Sequence, residues 1–476
     1  MNLIIGKCST TIRKVFSLPL CASMSVLHLS QTQLILKLTR KQHYSDCAKA
    51  KLLLNYSLST LGTTSSKISS LLSWHQAPVL NNKTVIKVKE RNSSKCYHAT
   101  HSRLGHSPDT SKECSEDSVP RPRNIESLIE TWFYEVCPRG SLEASLPFRT
   151  EVRPLNPESY PNMNKVIIQL HFDATEGAEV PTPHQLSQIS DLYDLRVGFD
   201  ADKANMKISC DLIKGVFVPI ICTLHVPMHF DLILTMTDDS SLLVEKMESK
   251  AIAIESEKGD CVFSNIKSGS VSALCRSGNI TCKSALLGNV YFHTGKSGNI
   301  VADKLQGSNI FCESEMGSVV IKSLYTDSAI FRSDGGNVHL GQCHGQVYMQ
   351  ADKSHLKIES LEGDLDVGLQ SGSVQVHFSK HNKADVEVTT GDISLSFPEG
   401  TNTDLNLDSP TVVVDENVDA TFTQTGLPHH KEGYIGEKGK ALVNARTLSG
   451  TIYLKCLDWI HSTKLAFKTD NSAPDV

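Results

Sequence analysis

Aromatic residues are scarce in this chain, 6% of 476, and hydrophobic residues reach only 39%. One large globular core would need more of both. Long apolar runs are missing as well, and no stretch is long and apolar enough to span a bilayer as a helix. Acids are nearly absent from residues 1–89, which hold twelve Lys/Arg and a single Asp46. That segment carries +11, and the rest of a chain whose formal total is -5 carries -16. No Gly-rich phosphate loop, nucleophile elbow or zinc-protease motif occurs, which removes the chemistries those motifs serve. The acidic folded part, poor in aromatics that could stack bases, argues against nucleic acid as a partner.

What the N-terminus does contain is Ser, Thr, Lys and Arg. A cationic, acid-free segment suits import across a negative-inside membrane, so residues 1–45 are expected to be a mitochondrial transit peptide. The alternative is a secretory signal, with Arg13 and Lys14 ahead of an apolar run from Val15 to Val26. Ser17, Pro19, Ser23 and Ser25 interrupt that run. Residues 46–124 are polar, lack sustained periodicity and close on Pro120-Arg121-Pro122-Arg123, which predicts a disordered linker. The fourteen cysteines spread from Cys8 to Cys456 without the short repeated spacing of a disulfide framework. Cys261, Cys275, Cys282, Cys312 and Cys343 are expected to be free thiols buried as small hydrophobes.

From Thr131 the pattern becomes strict alternation: Trp132, Tyr134, Val136; Leu142, Ala144, Leu146; Val166, Ile168, Leu170, Phe172. Period two predicts strands with one buried face. Leu195, Val197 and Phe199, a turn-like Asp200 to Asn205, then Met206, Ile208 and Cys210 predict a hairpin. A β-rich N-terminal cap domain is therefore expected over 125–235, with Pro181 to Asp194 as either a short helix or a loop.

Self-similarity dominates the next region. A Gly, a small polar residue and a β-branched or aliphatic residue recur every nine or ten positions, as in Gly269-Ser270-Val271, Gly278-Asn279-Ile280, Gly298-Asn299-Ile300, Gly336-Asn337-Val338 and Gly391-Asp392-Ile393. Inward pairs two apart follow each Gly (Ile280/Cys282, Val319/Ile321, Val338/Leu340), so each unit is a short strand. The Gly-polar pair is expected to turn the corner through a positive φ and a local side-chain hydrogen bond.

Alternate steps resemble each other. Ile266, Leu286, Leu305, Leu324, Cys343 and Leu361 form a column spaced by 18 to 20 residues. The expected fold is thus all-β: a parallel β-solenoid over 236–400 with about nineteen residues and two strands per coil. About seven coils would give a rod of roughly 34 Å at the ~4.8 Å strand spacing. A C-terminal β cap over 401–460 and a tail over 461–476 complete the chain.

These Gly-[Asn/Asp/Ser]-[Ile/Val] steps, the preceding Ser-Gly corners and the closing Thr447-Leu448-Ser449-Gly450-Thr451-Ile452 resemble the putative-adhesin domain family over about 220–455. Its members are β-solenoid proteins common in bacterial cell envelopes and present in a few animal proteins. The leader and the segment from Trp132 to Asp200 make this chain similar to the animal members. The resemblance implies no catalytic residue, cofactor or named ligand.

Constellations for chemistry are thin. Asp260, Asp364 and Asp392 each follow a Gly, and Asp334 and Asp352 also lie at corners; turn chemistry accounts for them better than a carbohydrate-cleaving site. Cys96, His98, His101, His106 and Cys114 are the best metal-like cluster, but their spacing fits no closed four-ligand pattern. Pro227 separates His225 from His229 in a β-patterned run, and His429-His430 reads as a solvated loop. Asn55, Asn92 and Asn279 are sequons that matter only in a secreted chain.

No catalytic, cofactor or metal residue is therefore expected. The reading is a non-enzymatic interaction or scaffold protein with a protein partner, no nucleic acid and no transmembrane segment, located in mitochondria. A secreted or surface binder of carbohydrate or protein is the alternative. A carbohydrate-active enzyme on a solenoid side is the third reading.

Overall fold

The computed structural model describes residues 128–173, 188–213, 219–295, 297–423 and 426–457, all within one compact unit. The expected leader, linker and tail, the Cys96 to Cys114 cluster and most of the 181–194 segment lie outside them. The N-terminal strands are β1 (Leu128–Glu135), β2 (Ser141–Leu146), β3 (Arg149–Pro154), β4 (Lys165–Phe172), β5 (Tyr193–Phe199), β6 (Asn205–Leu212), β7 (Ile220–Val226), β8 (Asp231–Met236), β9 (Leu242–Glu245) and β10 (Glu248–Ser256). The middle holds β11 (Cys261–Cys275), β12 (Ile280–Thr294), β13 (Ile300–Ser314), β14 (Val319–Ser333), β15 (Val338–Glu362) and β16 (Leu365–Lys380). The closing strands are β17 (Lys383–Thr390), β18 (Ile393–Pro398), β19 (Thr403–Asp408), β20 (Thr411–Val414), β21 (Ala420–Thr423), β22 (His430–Ile435), β23 (Leu442–Ser449) and β24 (Thr451–Leu457).

In the middle the chain is the expected parallel β-solenoid. Cys261 lies opposite Ile280, Ile280 opposite Ile300, Ile300 opposite Val319 and Val319 opposite Val338, a first ladder advancing one coil at a time. Val271, Val290, Ile310, Ala329 and Val347 form the matching column of a second ladder. The Ile266, Leu286, Leu305, Leu324 and Cys343 column is in register and fully buried between them. Each coil has its two runs, and pairing continues through one of its corners. β11 to β14 are 15-residue strands that bend there with only a local slip of register, so both ladders belong to one hydrogen-bonded sheet.

Close stacking explains the glycines. A Cβ built on Gly336 would sit 1.7 Å from Gly317 O, and one on Gly391 would sit 1.6 Å from Gly372 O. The expected positive φ holds at Gly391 (+140°) but not at Gly336, so the requirement the two share is backbone approach between coils. Beside this spine runs a column of buried hydroxyls, each donating to a corner carbonyl: Ser256 to Gly259 O (2.7 Å), Thr294 to Gly298 O (2.7 Å) and Ser314 to Gly317 O (3.0 Å). Buried polar groups are thereby satisfied. Cys275 takes the place of a hydroxyl in that column, with its sulfur 3.4 Å from the unbonded sulfur of Cys261.

The parallel stack is longer than the seven coils the glycine steps predict, because the strands at both ends extend it. They do so out of sequence order. Along the first ladder the neighbours run β1, β4, β7, β3, β9, β11, and at the far end β16, β18, β24, β20. Along the second they run β5, β6, β2, β8, β10, β11, and at the far end β16, β17, β23, β19, β22, β21. The β2–β3 coil is thus held between β6–β7 and β8–β9, and the β23–β24 coil between β17–β18 and β19–β20. Antiparallel strands lie outside each inserted coil. Among them is the expected β5–β6 hairpin, where Phe199 faces Met206 and Asn205 N donates to Asp200 Oδ1 (2.9 Å). One contiguous core runs from Val136 to Leu454.

Candidate functional site

The inward positions are spent on the core, so recognition has to use the outward ones. Three of the five corner acids hold backbone N–H groups of a neighbouring coil, and Asp352 Oδ1 accepts from Gln370 Nε2 (2.9 Å). Asp260 Oδ1 accepts the N–H of Asn279 (2.8 Å), Asp364 Oδ1 that of Lys383 (3.2 Å) and Asp392 Oδ1 that of Thr451 (2.8 Å). Asn279 and Asn299 continue the same relay to the N–H groups of Asn299 and Ser318 (both 2.8 Å). These side chains sit at corners as expected, but the bonds they make are not the expected local ones: each reaches the backbone of the coil stacked beside it.

On the outer surface of the second ladder, Tyr291, Phe311, Ile330 and Tyr348 occupy equivalent positions on successive coils. The Tyr291 and Phe311 rings stack with centroids 4.9 Å apart, and the Arg332 guanidinium lies 5.3 Å from the Phe311 centroid. Ile330 and Tyr348 remain 37% and 39% exposed. These side chains form an aligned, partly exposed apolar column on the outside of the second ladder.

The same column then changes character. Tyr348 is followed by Asp366, Asp385, Asn444 and Asn406, and the neighbouring column holds Glu387, Arg446 and Asp408. Together they line a groove of about 290 Å³. Burial and the adjacent Asp385 charge raise the Asp366 carboxyl above the usual carboxylate range. Burial opposes the Asp385 charge, but hydrogen bonds from Lys383 and Asn444 outweigh it and hold that carboxyl below the usual range. Arg446 approaches Glu387 at 3.8 Å. Asn406 Oδ1 is buried with no hydrogen-bond partner among the described residues. The groove is rich in acceptors, and the chemistry it offers is to hold hydroxyl, ammonium or guanidinium donors.

Elsewhere charged side chains pair with one another. On the first ladder, His339 Nε2 (2.9 Å) and Lys357 Nζ (3.0 Å) both meet Glu359 Oε1. Burial opposes the Glu359 charge, and these two partners nevertheless keep its carboxyl low. His225 lies within β7 and His229 Nδ1 bonds Glu248 O (2.9 Å), so the two share no helical face. His430 corrects the loop reading: it begins β22, its Nδ1 meets Asp408 Oδ1 (2.7 Å), its Nε2 meets Glu432 Oε1 (3.1 Å), and these bonds raise its pKa. Among the described residues no group of three or more His, Cys, Asp or Glu is arranged to hold a metal. No helix among them is long and apolar enough to cross a membrane.

Sequence reading names none of the groove residues. Asp366 and Asp385 could have been found by laying the coils in register and reading the outward positions. Asn444 and Asn406 could not, because Asn444 arrives beside Asp385, and Asn406 beside Asn444, only through the inserted β23–β24 coil.

A two-run parallel β-solenoid with interleaved ends defines the class of fold. Residues 287–455 match the family described as Toastrack DUF4097. Among solved structures, a putative adhesin from Bacteroides fragilis is 13% identical with a TM-score of 0.31, over 51% of this chain and 96% of its own. A putative lipid binding protein from Parabacteroides distasonis is 10% identical with a TM-score of 0.27, over 69% and 96%. A putative cell adhesion protein from Clostridium sporogenes is 9% identical with a TM-score of 0.16, over 69% and 99%.

Proposed function

We propose that the chain is a non-enzymatic binding protein whose recognition face is the outer surface of the second ladder. One observation carries this: a continuous outward column runs from stacked aromatics into an acceptor-rich groove, while the corner acids Asp260, Asp364 and Asp392 are consumed by backbone bonds. A photo-crosslinking residue at Tyr348 should capture a partner in cells, and the same residue at Val301, on the first ladder, should not. Equal capture from both positions refutes the assignment.

A second reading rests on the Asp366/Asp385 pair, whose protonation is pushed in opposite directions as paired catalytic carboxylates require. Asp385 is already engaged by Lys383 and Asn444 and the groove is open, which favours binding over turnover. Glycan cleavage by the purified protein that Asp366→Asn abolishes would reverse that preference.

The basic, acid-free leader supports a mitochondrial location and the kinship with animal proteins. Imaging of a C-terminally tagged protein with N-terminal sequencing of the mature form tests this. A secreted, glycosylated product would overturn it.

A further inference from the structure

At the C-terminal end the two ladders finish differently. The second is closed by antiparallel β22 and β21. The first stops at β20, whose only partner among the described residues is β24. Asp415 N–H donates to Leu454 O (2.9 Å), so odd-numbered residues of β20 turn their backbone groups toward β24, and Val412 and Val414 turn theirs to the open edge. The inner side is unfinished too. Ile452 and Leu454 are 0% and 1% exposed, whereas Val412 and Val414, next in the same columns, are only half-buried. Pro410 precedes β20, but the strand itself carries no lysine, proline or bulge of the kind that guards an edge. Asp415 and Glu416 follow it directly.

We infer that the outer edge of β20 is a docking site for the chain's own C-terminal segment, Lys464-Leu465-Ala466-Phe467-Lys468, added as an antiparallel strand. Residues 458–476 lie outside the described structure; their sequence alternates in the way the open edge of β20 requires. A pairing that sets Leu465 opposite Val414 and Phe467 opposite Val412 covers the two half-exposed valines. It satisfies their outward N–H and C=O groups and brings Lys464 opposite Asp415. Leu457 ends β24 on the side where such a strand would start. The six residues 458–463 must cross two strand spacings, roughly 10 Å, and can span about 20 Å. A second copy is a poorer occupant, because a four-residue edge buries far less than the roughly 1,200 Å² of a stable interface.

Hydrogen exchange resolved at the Val412 and Val414 amides tests this on the full chain. With the segment docked, both amides should exchange at least about tenfold more slowly than in a Phe467→Asp variant. A chain ending at Leu457 should match that variant, and a synthetic peptide of residues 462–470 should restore its protection. Equal rates in full-length and Phe467→Asp protein overturn the inference. So does protection that fades on dilution, which would assign the edge to a second copy.

Discussion

The middle of the stack and its two ends obey different rules. Between β11 and β16 every coil touches the coils that precede and follow it in sequence, so each contact is closed by about nineteen residues of chain. At the ends one coil is inserted between two that are already neighbours, and antiparallel strands lie beyond it. A stack of identical coils would expose a sheet edge at each terminus. Interleaving places part of each terminal region inside the stack, so that fraying from the outside cannot remove it first.

The largest effect should separate the two regions. Leu324→Asp puts an unpaired charge into the buried central column, and Gly336→Val drives a Cβ into Gly317 O, a backbone atom that cannot step aside. Each should cost several kcal/mol in thermal or urea unfolding. In a chain ending at Leu457, Val412→Asp lies in the half-exposed final coil and should cost about 1 kcal/mol or less. A Val412→Asp variant of that chain as unstable as Leu324→Asp would erase the contrast between middle and end.

The next effect is pH-dependent and belongs to the C-terminal end. His381 packs against Phe378 and Phe397, and its Nε2 meets Thr403 Oγ1 at 3.0 Å. Burial pulls its pKa down from 6.5 to about 4, partly offset by Asp364. Between these values the unfolded chain binds a proton that the folded chain refuses. Its contribution to stability is therefore complete above about pH 6.5 and is lost as the pH falls toward 4, by up to about 3 kcal/mol. His381→Asn should flatten the acid limb of the stability curve measured between pH 7 and 4.5. An unchanged limb would place the acid sensitivity elsewhere.

Sequence legibility divides along the same line. Periodicity at 18 to 20 residues follows from stacking like on like, so the Leu305 and Leu324 column, the buried cysteines and the corner position of Asp260 could all be read directly, though not the bond Asp260 makes to the next coil. The β5–β6 hairpin was legible because its turn is local. The insertions of β3 beside β9 and of Asn444 beside Asp385 leave no local trace. Their partners are separated by irregular distances, and either strand would fit any coil with a free edge. The groove inherits that opacity, since Asn444, Ala445 and Arg446 come from the inserted coil, and Asn406 and Asp408 from β19, which stacks on it.

A smaller effect probes the relay at the corners. Asn299→Ala removes the acceptor of the Ser318 N–H while leaving the backbone bond to Asn279 in place. The orphaned donor is at the surface, where water can partly replace the lost oxygen, so the cost should be about 1 kcal/mol. The corresponding change at Asp392, which bridges to Thr451 of the inserted coil, should cost more if the ends depend on such links to hold an out-of-order neighbour. Urea unfolding of Asn299→Ala and Asp392→Ala side by side decides the point. Equal costs would mean that the inserted coil is held by its packing alone, with Val443, Ala445, Ile452 and Leu454 in the core sufficient to fix its place.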